Sequence, residues 1–306
     1  MYSAKKRKYH SKMYNDNDLH NEDTREQQLR KLFNLKEVSP KCNEEYLKIP
    51  IDLPWKELQK DIPLAFDKFG WYGMVHRAKS DWSRSELYGG LGLNYNPDYV
   101  FPIDPHAQGF GQPRAVEGKF NETDWKNALN KNDYTSMNSN SGQPRGFNTY
   151  DDCLGLRTPT EVCSFRSISS IFDKIKMPTF QGRIAEVRAE EIGSKVTEDM
   201  KEFIWHTDER NEIISRILIP VIYDEDYWIE FKDTGTRIDF EPGYAYHFNT
   251  YRVHRWNFNY HKNIKNRTCV VLGFSPWLEY NDGKWLTNEY CNTMHPMDMV
   301  NEGLVV

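Results

Sequence analysis

Within the stretch FIWHTDERNE (203–212), His206 and Asp208 stand two positions apart at the end of a short apolar run. In extended backbone, side chains i and i+2 leave on the same face. An imidazole and a carboxylate on one face are two of the three ligands of a 2-His-1-carboxylate set, which holds Fe(II) and leaves coordination positions open. Alone, such a pair reads better as a hydrogen-bonded loop pair. The metal reading turns on a third ligand further along the chain.

His254, in FNTYRVHRWNF, supplies a candidate 46 residues after Asp208. Arg267 follows 13 residues later and opens the apolar run RTCVVLGF. Treating 253–274 as a hairpin with its loop near 259–266 sets Arg267 opposite Phe258, about four residues and on the order of 13 Å from His254. An arginine reaching back along the strand closes about half of that gap. The remainder suits a short dicarboxylate with one end on the metal and the other on the guanidinium, whose planar fork pairs bidentately with a carboxylate. The five-carbon keto-diacid 2-oxoglutarate has that shape. Arg216 lies in the apolar run ISRILIPVI. A buried guanidinium without a partner is costly, so it meets either a protein carboxylate or a ligand. Trp205, Tyr251 and Trp256 flank the ligands and read as site wall or as core. Asn249 begins the turn towards His254 and reads as orienting backbone rather than substrate. His247 and His261 fall off the ligand pattern and read as structural or exposed.

The elements that must position these residues are short and β-prone: 183–189, 214–222, 227–231, 236–240, 244–248, 253–258 and 268–274, most of them separated by turn signals such as Asp233-Thr-Gly235 and Glu241-Pro-Gly243. Strands at this spacing predict a sandwich or barrel. Helical patterns gather before the strands rather than between them, which argues against a parallel βαβ sheet. Thr24–Gln27 has the form of a capping box, ahead of a stripe of Leu29, Leu32 and Phe33. Pro54-Trp55 opens a second helix with Leu58 and Ile62 on one face, kinked or ended by Pro63. Short helices are expected at 123–129 and 167–175. The aromatic cluster Phe66, Phe69, Trp71 and Tyr72 reads as core. The glycine-rich stretch 88–97 lacks phosphate-loop spacing.

Residues 1–22 read as a flexible polar and basic tail, 23–45 as a helix and linker, and 46–290 as one domain. The strands lie within about 180–280, a long loop insertion spans 102–150, and 291–306 is a C-terminal tail. The chain has 306 residues, 38% hydrophobic and 14% aromatic, enough for a sizeable core. Its formal net charge of −5 makes no general case for nucleic acid. It contains no run of 18 apolar residues, and its start, MYSAKKRKYHSK, has no apolar segment after the basic one, so neither a membrane span nor a secretory signal is expected. The five cysteines are odd in number and lack CxxC spacing. That argues against a disulfide framework or zinc site and fits the cytoplasm. The wealth of Asn, Lys and Tyr hints at an AT-rich genome, as in a phage or virus.

WHTD (205–208), RILIP (216–220), EPGYAYHFNT (241–250), VHRW (253–256) and NRTCVVLGF (266–274) resemble, in order and spacing, the aspartyl/asparaginyl β-hydroxylase-like branch of the Fe(II)/2-oxoglutarate-dependent dioxygenases. The resemblance covers about 180–280, and more loosely 45–180, where KFGWYG is similar. It implies a mainly β fold with flanking helices around a double-stranded β-helix, or jelly-roll, core. It implies His206, Asp208 and His254 as iron ligands and Arg267 as the 2-oxoglutarate anchor, with Arg216 pointing into the site near the cosubstrate. Leu218 stands where many members carry a histidine. Asp208 stands where some members lack a carboxylate, and its presence argues against a halogenase. The expected function is an O₂-consuming dioxygenase that hydroxylates an aspartyl, asparaginyl or other amino-acid side chain in a protein or peptide. A free amino acid such as proline is the alternative substrate. A non-catalytic jelly-roll binding or structural protein, as in a virion, is the alternative of another class, against which the complete His/Asp/His/Arg set speaks. A nucleobase oxygenase is weakened by the net acidity.

Overall fold

Alternating and continuous apolar runs in the second half of the chain become strands because each can bury at least one face. In the computed structural model, residues 22–75, 84–97, 105–110, 154–189, 205–259, 261 and 263–306 are described. The expected tail at 1–22 falls outside them but for its last residue, as do the 123–129 helix and all of the 102–150 loop except 105–110.

The chain runs through α1 (Glu22–Phe33), β1 (Tyr46–Pro50), α2 (Trp55–Phe69), β2 (Tyr72–Val75), β3 (Arg84–Gly92), β4 (Asn94–Tyr95), a 3₁₀ turn (Pro105–Phe110), β5 (Thr158–Pro159), a second 3₁₀ turn (Glu161–Ser164) and α3 (Arg166–Phe172). Then follow β6 (Thr179–Val187), β7 (Ser215–Ile222), β8 (Tyr227–Phe231), β9 (Arg237–Asp239), β10 (Tyr244–Phe248), β11 (His254–Phe258), β12 (Arg267–Phe274), the hairpin β13–β14 (Leu278–Asn281, Lys284–Thr287) and α4 (Pro296–Asn301).

Seven strands form one sheet in the order β1-β10-β7-β12-β6-β3-β2, and three form a second in the order β11-β8-β9. An isolated antiparallel bridge between His206 and His254 extends the second sheet beyond β11. From β6 onward the chain passes from the large sheet to the bridge, back to β7, across to β8 and β9, back to β10, across to β11 and back to β12. This winding between β6-β12-β7-β10 and bridge-β11-β8-β9 is a double-stranded β-helix, the jelly-roll core expected from the sequence. Glycines carry the two turns that return the chain, Gly235 at φ 70° and Gly243 at φ 86°, where a side chain would be strained.

Strand parity explains why ISRILIPVI is apolar throughout. Ile217, Ile219 and Val221 face outward under α2, α3 and α4 with Leu58, Ile62, Ile168, Ile171 and Met299. Leu218 faces inward between the sheets with Ile229, Phe231, Phe240, Tyr246, Phe248, Cys269 and Val271. A strand covered on both sides loses the polar/apolar alternation.

Four local expectations are corrected. Pro63 does not end α2, which runs on to Phe69 with Leu58, Ile62 and Ala65 buried, because burial of that face outweighs the missing N–H. α1 begins at Glu22, ahead of Thr24, and of its stripe Leu29 is buried while Leu32 is 52% exposed. The supposed 253–274 hairpin does not form: β11 pairs with β8, and β12 with β6 and β7, because the connection crosses from one sheet to the other. Residues 291–306, read as a tail, fold back on the core: Met297, Met299, Val300 and Val305 are buried. Both Asp298 carboxylate oxygens accept from the Lys41 backbone N–H at 3.0–3.1 Å, and Oδ1 also accepts from that of Cys42 at 2.9 Å. The strands β1, β2, β3, β13 and β14 carried no signal the sequence reading used. Among the described residues no helix is long and apolar enough to cross a membrane.

His247 on β10 points away from the inter-sheet space and is fully buried. Its Nδ1 hydrogen-bonds the Arg216 carbonyl at 2.9 Å and its ring packs 6.1 Å from that of Phe274. Burial pushes its pKa down to about 4, helped by nearby His295 and opposed by the Arg216 carbonyl.

Two outcomes follow from this packing. Met299→Ala loses about 2–5 kcal/mol of unfolding free energy in denaturant titration, whereas Leu286→Ala, at a 47% exposed site, changes it by no more than ~0.5 kcal/mol. The unfolded chain protonates His247 near its ordinary pKa of about 6.5, while the folded chain resists until about 4. More protons are then bound by the unfolded state, so stability falls as pH drops through that window. Unfolding curves of metal-free protein at successive pH values should show this slope, and His247→Leu should make it shallower.

Candidate metal centre

The centre is assembled by backbone pairing before any side chain meets another. His206 and His254 exchange both backbone hydrogen bonds at 2.9 Å, and the Asp208 N–H donates to the Thr250 carbonyl at 2.8 Å. This lays the 206–208 segment alongside the 250–254 turn. His206 and Asp208 share a face, as the i, i+2 spacing requires, and the cross-strand partner His254 brings its ring to 4.4 Å, centroid to centroid, from that of His206.

One ligating atom from each of His206, Asp208 and His254 lies within 4.8 Å of the others. His254 Nδ1 hydrogen-bonds the Arg252 carbonyl at 2.8 Å. That bond requires the proton on Nδ1 and leaves the Nε2 lone pair for the centre, 3.9 Å from Asp208 Oδ2. Orientation of a ligating imidazole through its other nitrogen is the usual support of a metal-bound histidine. The Phe248 ring meets that of His254 at 5.2 Å, edge to face.

Electrostatics prepare the same state. Burial, with His206 adjacent, pushes the His254 pKa down to about 4 against the pull of Asp208, so the ring is neutral at neutral pH. Burial by itself would raise the Asp208 carboxyl, but the Arg216 guanidinium, the two imidazoles and Arg183 hold it well below the usual carboxylate range. Two imidazoles and one ionised carboxylate form the donor set that a divalent iron site takes.

Arg216 reaches inward from β7 with a side chain 11% exposed. Its Nη1 meets Asp208 Oδ2, and its Nη2 meets Glu209 Oε2 at 2.5 Å. Of the two partners the sequence left open, a protein carboxylate is the one present, and it belongs to a candidate ligand. Arg267 opens β12, is 6% exposed, faces the Phe240 ring at 5.3 Å and lies beside the Cys269 thiol. Its Nε has no hydrogen-bond partner. Among the described residues no carboxylate pairs with it.

The flanking residues divide. Trp256 is half-buried, has the parity of His254 and stacks on Phe258 at 5.4 Å. Trp205 has the opposite parity to His206. It carries Arg255 over its ring at 4.1 Å and Lys232 at 5.6 Å, on the face turned away from the ligands. Tyr251 is exposed and packs under Arg210. Asn249 Oδ1 accepts from the Tyr251 N–H at 3.1 Å, which orients the turn. Sequence reasoning passed over Arg183, Glu209 and Thr250. Arg183 shares strand parity with inward Ala185, which was a usable signal. Glu209 and Thr250 had none.

A second group, Asp224, Asp226 and His261, also brings ligating atoms within 4.8 Å. His261 Nε2 is bonded to Asp226 Oδ2 at 2.7 Å, and Asp224 Oδ1 accepts from the Asp226 N–H at 2.9 Å. These bonds account for the cluster as a contact between the β7–β8 turn and the connection from β11 to β12.

No family model matches the chain, and no curated protein matches it. Among solved structures, the chain is similar to a prolyl hydroxylase from Trichoplax adhaerens in complex with a hypoxia inducible factor oxygen degradation domain peptide fragment, at 11% identity and TM-score 0.35, over 83% of this chain and 90% of that one. It is also similar to a Pseudomonas putida prolyl-4-hydroxylase, at 11% identity and TM-score 0.30, over 76% and 92%. A third similarity is to NgTET1 in complex with 5mC DNA, at 12% identity and TM-score 0.31, over 82% and 74%. The order of strands in the two sheets, rather than these distant similarities, defines the fold of this chain.

Proposed function

We propose that the chain is an Fe(II)- and 2-oxoglutarate-dependent dioxygenase that hydroxylates an aspartyl, asparaginyl or other amino-acid side chain in a protein or peptide. The observation that carries this reading is the convergence of His206, Asp208 and His254 within 4.8 Å at one end of a jelly-roll whose interior also holds the guanidinium of Arg267, which pairs with no carboxylate among the described residues. In this reading the catalytic unit begins near residue 46 and includes α4. Iron held by the three ligands supplies activation of O₂ coupled to oxidative decarboxylation of 2-oxoglutarate, so that one oxygen atom enters succinate and the other a substrate C–H bond.

The chain's own residues account for the rest. His254, with its proton on Nδ1, presents Nε2 to the metal. Asp208 offers a charge that burial has not neutralised. Arg267 provides the fork that pairs with the distal carboxylate of 2-oxoglutarate, relieving a buried cation that lacks a carboxylate partner. Phe231, Phe240 and Phe248, packed between the sheets, make the surroundings apolar and exclude water.

Anaerobic titration of the purified protein with Fe(II) and then 2-oxoglutarate tests the reading. A weak visible charge-transfer band is expected on chelation. His206→Ala should abolish it. Arg267→Ala should raise the 2-oxoglutarate concentration needed by about 10- to 100-fold, the equivalent of losing charged hydrogen bonds of ~1.5–3 kcal/mol. Absence of the band in well-folded wild-type protein would remove the iron and cosubstrate assignment, and leave the jelly-roll as a binding or structural module.

A further inference from the structure

Resting on the iron reading above, we infer that Arg216 is a positioning residue of the metal centre: by bridging Asp208 and Glu209 it holds the Asp208 carboxylate turned towards the imidazoles. Asp208 and Glu209 are consecutive, and both carboxylates turn towards the same guanidinium. Its two terminal nitrogens divide between them, Nη1 to Asp208 Oδ2 and Nη2 to Glu209 Oε2. Oδ2 is also the Asp208 oxygen 3.9 Å from His254 Nε2, so the guanidinium holds the edge of the carboxylate that faces the imidazole.

The backbone that carries the guanidinium is held in place. The Arg216 carbonyl is tied to the buried His247 ring at 2.9 Å. Its neighbour Ser215 donates through Oγ to the Asn211 carbonyl at 2.9 Å. The backbone that carries the two carboxylates is fixed from the other side, by the Asp208 N–H on the Thr250 carbonyl and by Thr250 Oγ1 on the Glu209 carbonyl at 3.2 Å. Fold stability is a poor explanation for such a cluster, because buried ion pairs are commonly replaced by apolar residues without loss. Ligand orientation is a better one, because groups that hydrogen-bond a metal ligand set its direction and basicity. Glu209 shares the guanidinium, so Asp208 does not surrender its whole charge to Arg216 and remains a donor. An ammonium on a flexible stem lacks the planar fork needed to hold both carboxylates at once.

Co(II) is the probe, titrated into full-length protein and followed by its visible absorption. Arg216→Met is expected to weaken Co(II) affinity by about 10- to 100-fold and to change the envelope of the visible bands, because the released carboxylate is free to turn and meet the metal at a different angle. Arg216→Lys should recover part of the affinity. A purely structural role would leave the band envelope of the bound form unchanged, and that result, or wild-type affinity in Arg216→Met, overturns the inference. If Arg216→Met does not fold by circular dichroism, Glu209→Gln decides: a loss of about 3- to 10-fold, at the lower end of the same outer-partner effect, is expected, and unchanged affinity overturns it. A wild-type site that His206→Ala abolishes, combined with normal binding by Arg216→Met, sinks this inference alone. Wild-type protein that binds no Co(II) sinks the metal reading with it.

Discussion

The centre depends on two backbone hydrogen bonds. His206 and His254 exchange them at 2.9 Å, forming an isolated bridge at the edge of the smaller sheet. A directly opposed pair in an antiparallel ladder brings its side chains into contact on one face, so one bridge delivers both imidazoles. Asp208 joins them by periodicity alone. Shifting this pairing by one residue would send His206 and Asp208 to the opposite face. The bridge is short, so its register is held from outside it: by Thr250, which takes the Asp208 N–H, and by β11, whose five residues pair with β8.

Charge is the second constraint. The inter-sheet space is built from phenylalanine, leucine, isoleucine and valine, yet arginines reach it from β7 and β12. Such groups are tolerated only with partners. Arg216 has two within the chain. Arg267 has an aromatic face and a thiol but no carboxylate among the described residues. This asymmetry separates a guanidinium paired within the chain from one that meets only an aromatic face and a thiol among the described residues.

Much of the architecture was legible because each strand between 179 and 274 carries its own local signal. β8 and β10 fall on the expected residues, 227–231 and 244–248, and β7 and β12 lie within one residue of theirs. Turn residues such as Gly235 and Gly243 adopt the positive φ that their type suggests. The elements around the core were less legible. Pro63 was read by its local effect on a helix, but α2 is held by contacts with the sheet. The C-terminal residues were read as a tail because six helical residues make too short a period to stand out, although Met297, Met299 and Val300 are core.

Residue types and local spacing therefore determined which side chains could ligate a metal, that His206 and Asp208 share a face, and where the chain extends and turns. These follow from backbone geometry within a few residues. Tertiary structure decided which strands pair, and with that everything reaching across the site. His254 opposes His206 and lies in a different sheet from Arg267. Arg216 meets Asp208 and Glu209, and Trp205 turns away from the centre. The reason is that a jelly-roll alternates between two sheets, so neighbours in sequence part and residues far apart in the chain come together. That pairing is set by burial of both faces of the large sheet, which no short window of sequence contains.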